Sequence, residues 1–341
     1  MIFIFVFTSL QLGAETIRVV TINVWSGLTY KGAIKNGEYE DAKARDFRYE
    51  LLVKELKDLD ADVIGVNEAN MLPGYARKLA EDLGYSFIYQ VRLGGLRIGP
   101  VGFPLNLREG DVVLAKNELE LELAGTIRLS GGIAGNVVSM QSGHASQVLV
   151  AKVKIGGRPV YVCLSHWQKS EFAYRDNLVQ MVDRYFLEDL EADRLLQRMR
   201  SAIEGKKRRL AEAEETVEFI NGLVGEEPVI LVGSFEALPN SEEIAHIIEA
   251  GFTDTFRAVG RGTGYTWDEM ENSNIIRYYL NNDKEEGITR RRDRIDYIFT
   301  RGQSIKPLRS WLAFNKETYG VHPSDHYGVV CEIEIEPLPE Q

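Results

Sequence analysis

Short apolar runs, too short for helices, recur along this 341-residue chain, and most of them end on a polar residue. IRVVTINVW, ADVIGVNEA, RPVYVCLSH, PVILVGSF, RIDYIFT and GVVCEIEIE are rich in β-branched residues and read as buried strands. Between them, residues 44–59 and 73–83 carry apolar side chains at helical spacing, and Tyr85–Val91 reads as a further strand. From Asp111, GDVVLAK, LELAGTIRL, SQVLVAKVKI and RPVYVCLSH follow one another as strands of a meander do. Strand–helix–strand order mixed with meanders predicts an α+β fold, with sheets packed together and helices outside. The polar ends of the runs are Asn23, Glu68, His166, Ser234 with Glu236, Asp296, and Asp325 with His326. Ligands often bind at such ends, because the strand fixes the backbone while the loop stays accessible. A lone carboxylate there is usually a turn or cap residue; the weight lies in the ordered set.

Charge narrows the partners. The net charge of -11 counts against a protein that grips nucleic acid through a basic surface, although a bound cation can outweigh a global field locally. Two cysteines, Cys163 and Cys331, exclude a disulfide-dense scaffold and a Cys-rich zinc module, and both sit in strand-like runs as buried thiols. Residues 1–14 form an apolar run too short to span a bilayer, which suits a signal peptide cut near Ala14. Secretion or periplasmic export follows from that reading; the alternative is an apolar first strand or a misplaced start, with a cytoplasmic protein. No linker splits residues 15–341, so one domain is expected, as a monomer. The stretch 172–223 lacks proline and predicts two or three helices, with a hairpin turning at Gly205. It reads as an insertion. Its basic run Lys206–Arg209 is a solvated helix face, or else a surface for a membrane or a protein partner.

The ordered set resembles the endonuclease/exonuclease/phosphatase superfamily, the metal-dependent phosphoesterases of the DNase I and sphingomyelinase type. The resemblance runs from Ile17 to Ile335 through TINVW, DVIGVNEA (with Asn67 where the family has Gln), GDVVLAK, SHWQ, VGSFEALPNS, RIDYIF and PSDHYGV. It implies a two-layer β-sandwich flanked by helices, a four-layer α/β/β/α arrangement with an inserted helical segment. It also implies water attacking a phosphoester beside Mg²⁺ or Mn²⁺. Carried over residue by residue, Glu68 would ligate the metal, with Asn23 offering its amide to metal or phosphate. His326 would act as general base or phosphate clamp, oriented by Asp296, with Asp325 free to contact the metal. His166 would face it across the phosphate as acid or oxyanion donor. Arg294 is either surface charge or a phosphate contact, and Thr266 with Trp267 would line the pocket.

One departure stands out. Where the family has Asp and Asn, this chain has Ser234 and Glu236. Serine cannot carry a negative charge or act as a strong base near neutral pH. Either Glu236 restores the charge, being two residues on along an extended chain and so on the same face, or the site is weakened or silent. In the second case the protein binds a phosphorylated ligand or a partner without turnover. The substrate, whether lipid, nucleotide or small metabolite, is not chosen by the fold. The Gly-rich apolar stretch 93–107 reads as a packed loop or a substrate rim.

Overall fold

The computed structural model describes residues 13–28, 38–93, 95–98, 101–103, 108–130, 138–141, 145–167, 192–280 and 290–338. The expected leader lies outside these except for Gly13 and Ala14, as does 172–191 of the expected helical insertion. The first half of the chain forms β1 (Glu15–Asn23), α1 (Ala42–Leu59), β2 (Val63–Ala69), α2 (Gly74–Leu83), β3 (Tyr85–Leu93), β4 (Gly95–Ile98), β5 (Val101–Phe103), β6 (Glu109–Lys116), β7 (Glu122–Ser130), β8 (Val138–Gln141), β9 (Ser146–Ile155) and β10 (Arg158–His166). The second half begins with α3 (Ala192–Val224), β11 (Val229–Ser234), α4 (Glu242–Glu249), β12 (Thr253–Asp254) and α5 (Thr255–Val259). It continues through β13 (Trp267–Asp268), α6 (Ser273–Ile275) running into a π-helical turn Ile276–Leu280, β14 (Arg292–Asp293), β15 (Asp296–Arg301), β16 (Ile305–Ala313) and β17 (Gly328–Ile335).

Two six-stranded sheets form the body, in the orders β16-β17-β1-β2-β6-β3 and β12-β15-β11-β10-β9-β7. Each is mixed: β1 pairs parallel with β2 and β10 parallel with β11, and the other pairs are antiparallel. The near-continuous apolar runs have a plain cause, since both faces of the central strands are covered. Val19, Val63 and Val113 point into the layer between the sheets, against Leu149, Val162, Leu164, Ile230 and Val232. Their neighbours Val20, Ile64 and Val112 point outward beneath Leu52 and Leu56 of α1 and Leu79 of α2. On the other outer face, Ala213, Val217 and Ile220 of α3 and Ile244 and Ile247 of α4 cover Val148, Val150, Cys163 and Leu231. Each large aliphatic side chain fully buried this way contributes ~1.5–3 kcal/mol. The expected α/β/β/α layering is therefore present.

Three expectations differ. The stretch 93–107, expected as a loop, carries β4 and β5, which pair with β8 in a small three-stranded sheet. The described part of the helical stretch is one continuous helix, α3, which runs through Gly205 without a turn. A single helical glycine costs only ~1 kcal/mol, and packing of the C-terminal half of α3 on the sheet outweighs it. The strand β16 was not legible in the sequence. It is an edge strand with Pro307 at an irregularity in its register, and several of its residues face solvent, so the apolar pattern is broken.

Close approach of two strands sets the end of the sandwich where the polar residues gather. Gly233 has φ 133°, and a Cβ there would lie 1.9 Å from the Ser165 carbonyl oxygen on β10. Gly233→Ala should therefore cost about 3 kcal/mol or more, read as a lower denaturant midpoint, because backbone rather than a flexible side chain must move.

Candidate active site

Strand register brings the polar ends together. Across the second sheet, Gln147, His166, Ser234 and Asp296 lie in one row on four neighbouring strands. In the first sheet Asn23 is opposite Asn67 at the same end of the sandwich. Asn67 is fully buried and its amide crosses the gap between sheets: Nδ2 donates to Asp111 Oδ1 at 2.8 Å and to the Ser165 carbonyl at 3.3 Å, and Oδ1 accepts from the Ser234 backbone N–H at 3.0 Å. The Ser324 hydroxyl donates to the Asn23 carbonyl at 2.6 Å and ties the 324–326 loop to β1.

Two imidazole–carboxylate pairs result. His326 Nδ1 lies 2.8 Å from Asp296 Oδ2, both 1 % exposed. Burial pushes the His326 pKa down, but the charge and hydrogen bond of Asp296, with the charges of Asp325 and Glu236, outweigh it and raise the pKa to about 9. His326 is therefore an imidazolium at neutral pH, suited to clamping an anion. The second pair is His166 Nδ1 with Asp111 Oδ1 at 3.2 Å. On its other side His166 Nε2 lies 3.2 Å from Arg92 Nη1. A guanidinium can only donate, so Nε2 presents its lone pair and the proton sits on Nδ1, facing Asp111. Burial works to raise the Asp111 pKa, but hydrogen bonds from His166 and Asn67 and the Arg92 charge hold it below the usual carboxylate value. Arg92 also pairs with buried Glu109.

Glu68 completes the site on the first sheet. It sits where β2 departs from regular register against β6, at φ 58°. That conformation is costly for a side chain other than glycine, and such strain gathers at functional sites. Its Oε1 accepts from Asn23 Nδ2 at 3.0 Å and its Oε2 from the Ser26 N–H at 3.2 Å. Glu68 Oε1 is also 3.9 Å from His166 Nε2. Asp325 Oδ2 accepts from the Tyr279 phenol at 3.2 Å, and its Oδ1 lies 3.2 Å from the Ser324 hydroxyl oxygen.

The Ser234 departure has a clear geometry. Glu236 does not reach Ser234 through strand alternation, as the sequence suggested. β11 ends at Ser234, and Glu236 lies beyond it at φ 50°. Its carboxylate nevertheless lies 3.4 Å from the Ser234 hydroxyl, and its charge acts on His326. Two other candidates have structural partners. Arg294 pairs with Asp254 at 2.8 Å and lies over the Tyr297 ring, in a structural network. The Thr266 hydroxyl accepts from the N–H groups of Ile295 and Asp296, each at 3.1 Å, and so fixes the start of β15. Trp267 does lie against His326, with ring centroids 5.1 Å apart. Asp111, Arg92, Asn67 and Tyr279 were missed as site residues. For Asp111 the signal was there, a carboxylate embedded in the apolar run GDVVLAK.

The sequence model of the Endonuclease/Exonuclease/phosphatase family matches residues 20–326, which spans every element of this site. The chain belongs to that family. No curated protein matches its sequence. Among solved structures it is similar in fold to D. rerio TDP2 complexed with a single-strand DNA product, at 17% identity and TM-score 0.58, covering 94% of this chain and 99% of that one. It is similar to a humanized D. rerio TDP2, at 15% identity and TM-score 0.58, covering 93% and 98%. A family protein from Bacteroides thetaiotaomicron gives 17% identity and TM-score 0.60, covering 94% and 98%.

The raised pKa makes a prediction about stability. The His326 contribution is fully present below its ordinary value of 6.5 and is lost as the pH rises through about 9. The stability advantage of wild type over His326→Gln in denaturant titrations should shrink by on the order of 3 kcal/mol across that window.

Proposed function

We propose that this family member is a divalent-metal-dependent phosphoester hydrolase in which water attacks phosphorus between the two imidazole–carboxylate pairs. The observation that carries the reading is the paired arrangement itself: His326 on Asp296 at 2.8 Å and His166 on Asp111 at 3.2 Å, at one end of the sandwich beside Glu68. His326, as imidazolium, would bind a phosphate oxygen and stabilise the charge that grows there. Glu236 would accept the proton of the attacking water, taking the part that an Asp at position 234 would play. His166 Nε2 already accepts from the Arg92 guanidinium at 3.2 Å, so His166 fits a group that positions Arg92 better than the acid role suggested by the resemblance.

The donor set fits a divalent cation. Among the described residues no three or more His, Cys, Asp and Glu converge as a ready-made cage. What is present is Glu68, whose side chain is 17% exposed, beside the Asn23 amide, with buried Asp325 and Glu236 close enough for their charges to act on His326. Buried Asp296 Oδ1 has no hydrogen-bond partner. One or two carboxylates with water is the coordination that Mg²⁺ or Mn²⁺ accepts. Glu68 would hold the ion, with Asp325 and Glu236 as further oxygen donors; Asn23, whose oxygen accepts from the Trp25 N–H at 2.9 Å and whose amide nitrogen donates to Glu68, would orient that ligand. Bound there, the ion would offset the phosphate charge.

A phosphodiester is the favoured substrate class, because the family includes nucleases and D. rerio TDP2 is seen with a DNA product. The second reading, a silent phosphate-binding protein, is favoured by one observation only, Ser234 in the register row of the site.

Hydrolysis of a chromogenic aryl phosphodiester tests the proposal. Wild type should turn over with Mg²⁺ or Mn²⁺ and stop when the metal is chelated, and His326→Ala should lose ~10²-fold or more. Ser234→Asp should change the rate by less than ~10-fold if Glu236 carries the charge. A silent wild type that gains activity only as Ser234→Asp would favour the binding role.

A further inference from the structure

Residues 322–325, which lead into His326, lie in no strand and are buried, so their carbonyl groups need partners within the protein. Side chains supply them, one carbonyl after another. Asn274 Nδ2 donates to the His322 carbonyl at 2.9 Å, and Arg48 Nη1 donates to that of Pro323 at 2.7 Å. Asn272 Nδ2 donates to the next two, Ser324 at 3.0 Å and Asp325 at 3.1 Å. Ser273 adds a reciprocal pair: its N–H donates to His322 Nδ1 at 3.1 Å, and its hydroxyl accepts from the His322 N–H at 2.9 Å. Asn272, Asn274 and Arg48 are all buried.

The Asn272 amide also works in the other direction. Its Oδ1 accepts from the N–H groups of Asn274 at 3.0 Å and Ile275 at 3.3 Å, which caps α6. From α6 the chain enters the π-helical turn, whose Tyr279 phenol donates to Asp325 Oδ2 at 3.2 Å. One side chain thus holds the peptide groups before and after Asp325 and the start of the segment that contacts the Asp325 carboxylate. A cap alone does not require an amide, since serine and aspartate cap as well as asparagine. Neither of them offers two N–H groups to two carbonyls.

We propose that Asn272 is a positioning residue of the site: it fixes the backbone from which Asp325 and His326 project, and so the place of the His326 imidazole relative to Asp296. The inference rests on the phosphoester reading above. His326 and Asp296 come from separate stretches of chain and meet at 2.8 Å, so a shift of the 324–326 backbone changes that contact directly. Ser324 ties the loop to β1 through the Asn23 carbonyl, and Asn272 ties it to the segment before β14. Held by both, the loop has little ordering left to do when a ligand binds.

Steady-state kinetics of the full chain on a chromogenic aryl phosphodiester with Mg²⁺, together with backbone hydrogen exchange without substrate, test the assignment. Asn272→Ser and Asn272→Asp keep a capping oxygen and lose the two donated hydrogens. Leu79→Ala, which removes core volume under α2, serves as a control for lost stability. Misplacement of a site group by about 1 Å can cost ~10²-fold. Both Asn272 variants should lose about 10- to 100-fold in kcat with KM changed by less than about 3-fold, because His326 acts on charge that grows in the transition state. Their His326 and Tyr327 amides should exchange ~10-fold faster or more, with the β17 amides unchanged. Leu79→Ala should lower the denaturant midpoint and leave kcat unchanged. Wild-type kcat in Asn272→Ser, a rise in KM alone, a uniform rise in exchange throughout the molecule, or an equal kcat loss in Leu79→Ala would overturn the positioning role and leave the phosphoester reading standing. Should Asn272→Asp fail to fold, Asn272→Ser decides. A wild type without turnover would overturn that reading and the positioning role with it.

Discussion

Buried amides hold the two sheets together at the site: Asn67 from one side, and Gln147 from the other, which donates to Asp111 Oδ2 at 2.6 Å. Asn67 stands at the end of a strand in one sheet and bonds to the Ser165 carbonyl and the Ser234 N–H of the other, as well as to Asp111 within its own. Two sheets packed through aliphatic side chains can slide by small amounts, because apolar contacts have no direction. Hydrogen bonds do have direction, and a fully buried amide left unsatisfied is costly, so this one fixes the distance and angle between sheets where it matters. The imidazole–carboxylate pairs inherit that precision. His166 and Asp111 come from different sheets and meet only because the sheets are held in this relation.

Electrostatics then set the character of the site. Asp111, Asp296, Asp325 and Glu236 are all buried, within a space shared with two imidazoles and one guanidinium. Buried carboxylates are tolerated only when paired and hydrogen-bonded. On one side Arg92 and the His166 hydrogen bond stabilise Asp111; on the other, His326 stabilises Asp296 by taking up a proton. The two halves thus differ: the His166 Nε2 lone pair faces the Arg92 guanidinium, whereas His326 is a cation. A group that carries negative charge fits beside His326.

Much of this was legible in the sequence, and the exceptions have physical reasons. The two-sided burial of the central strands wrote itself into runs such as VVTIN and VILVG, and the polar residues bounding several runs lie at one end of the sandwich. The register row of His166, Ser234 and Asp296 could not be read, because pairing between distant strands leaves no local trace. Arg92 is a charged residue in a strand of mixed pattern, and nothing local says that it meets a histidine 74 positions away. Thr266 and Arg294 stand beside other candidates in sequence, and what the sequence could not show is their partners, the N–H groups at the start of β15 and Asp254. Glu236 reached its expected neighbour by a left-handed turn rather than by the pleat.

The most direct test of the asymmetric pair is the protonation state of each imidazole nitrogen, read by ¹⁵N-detected histidine NMR near neutral pH with and without inorganic phosphate. The account predicts His326 protonated on both nitrogens, His166 protonated on Nδ1 alone, and a shift of the His326 signals when phosphate is added. A neutral His326, a proton on Nε2 of His166, or phosphate that disturbs neither ring would contradict it.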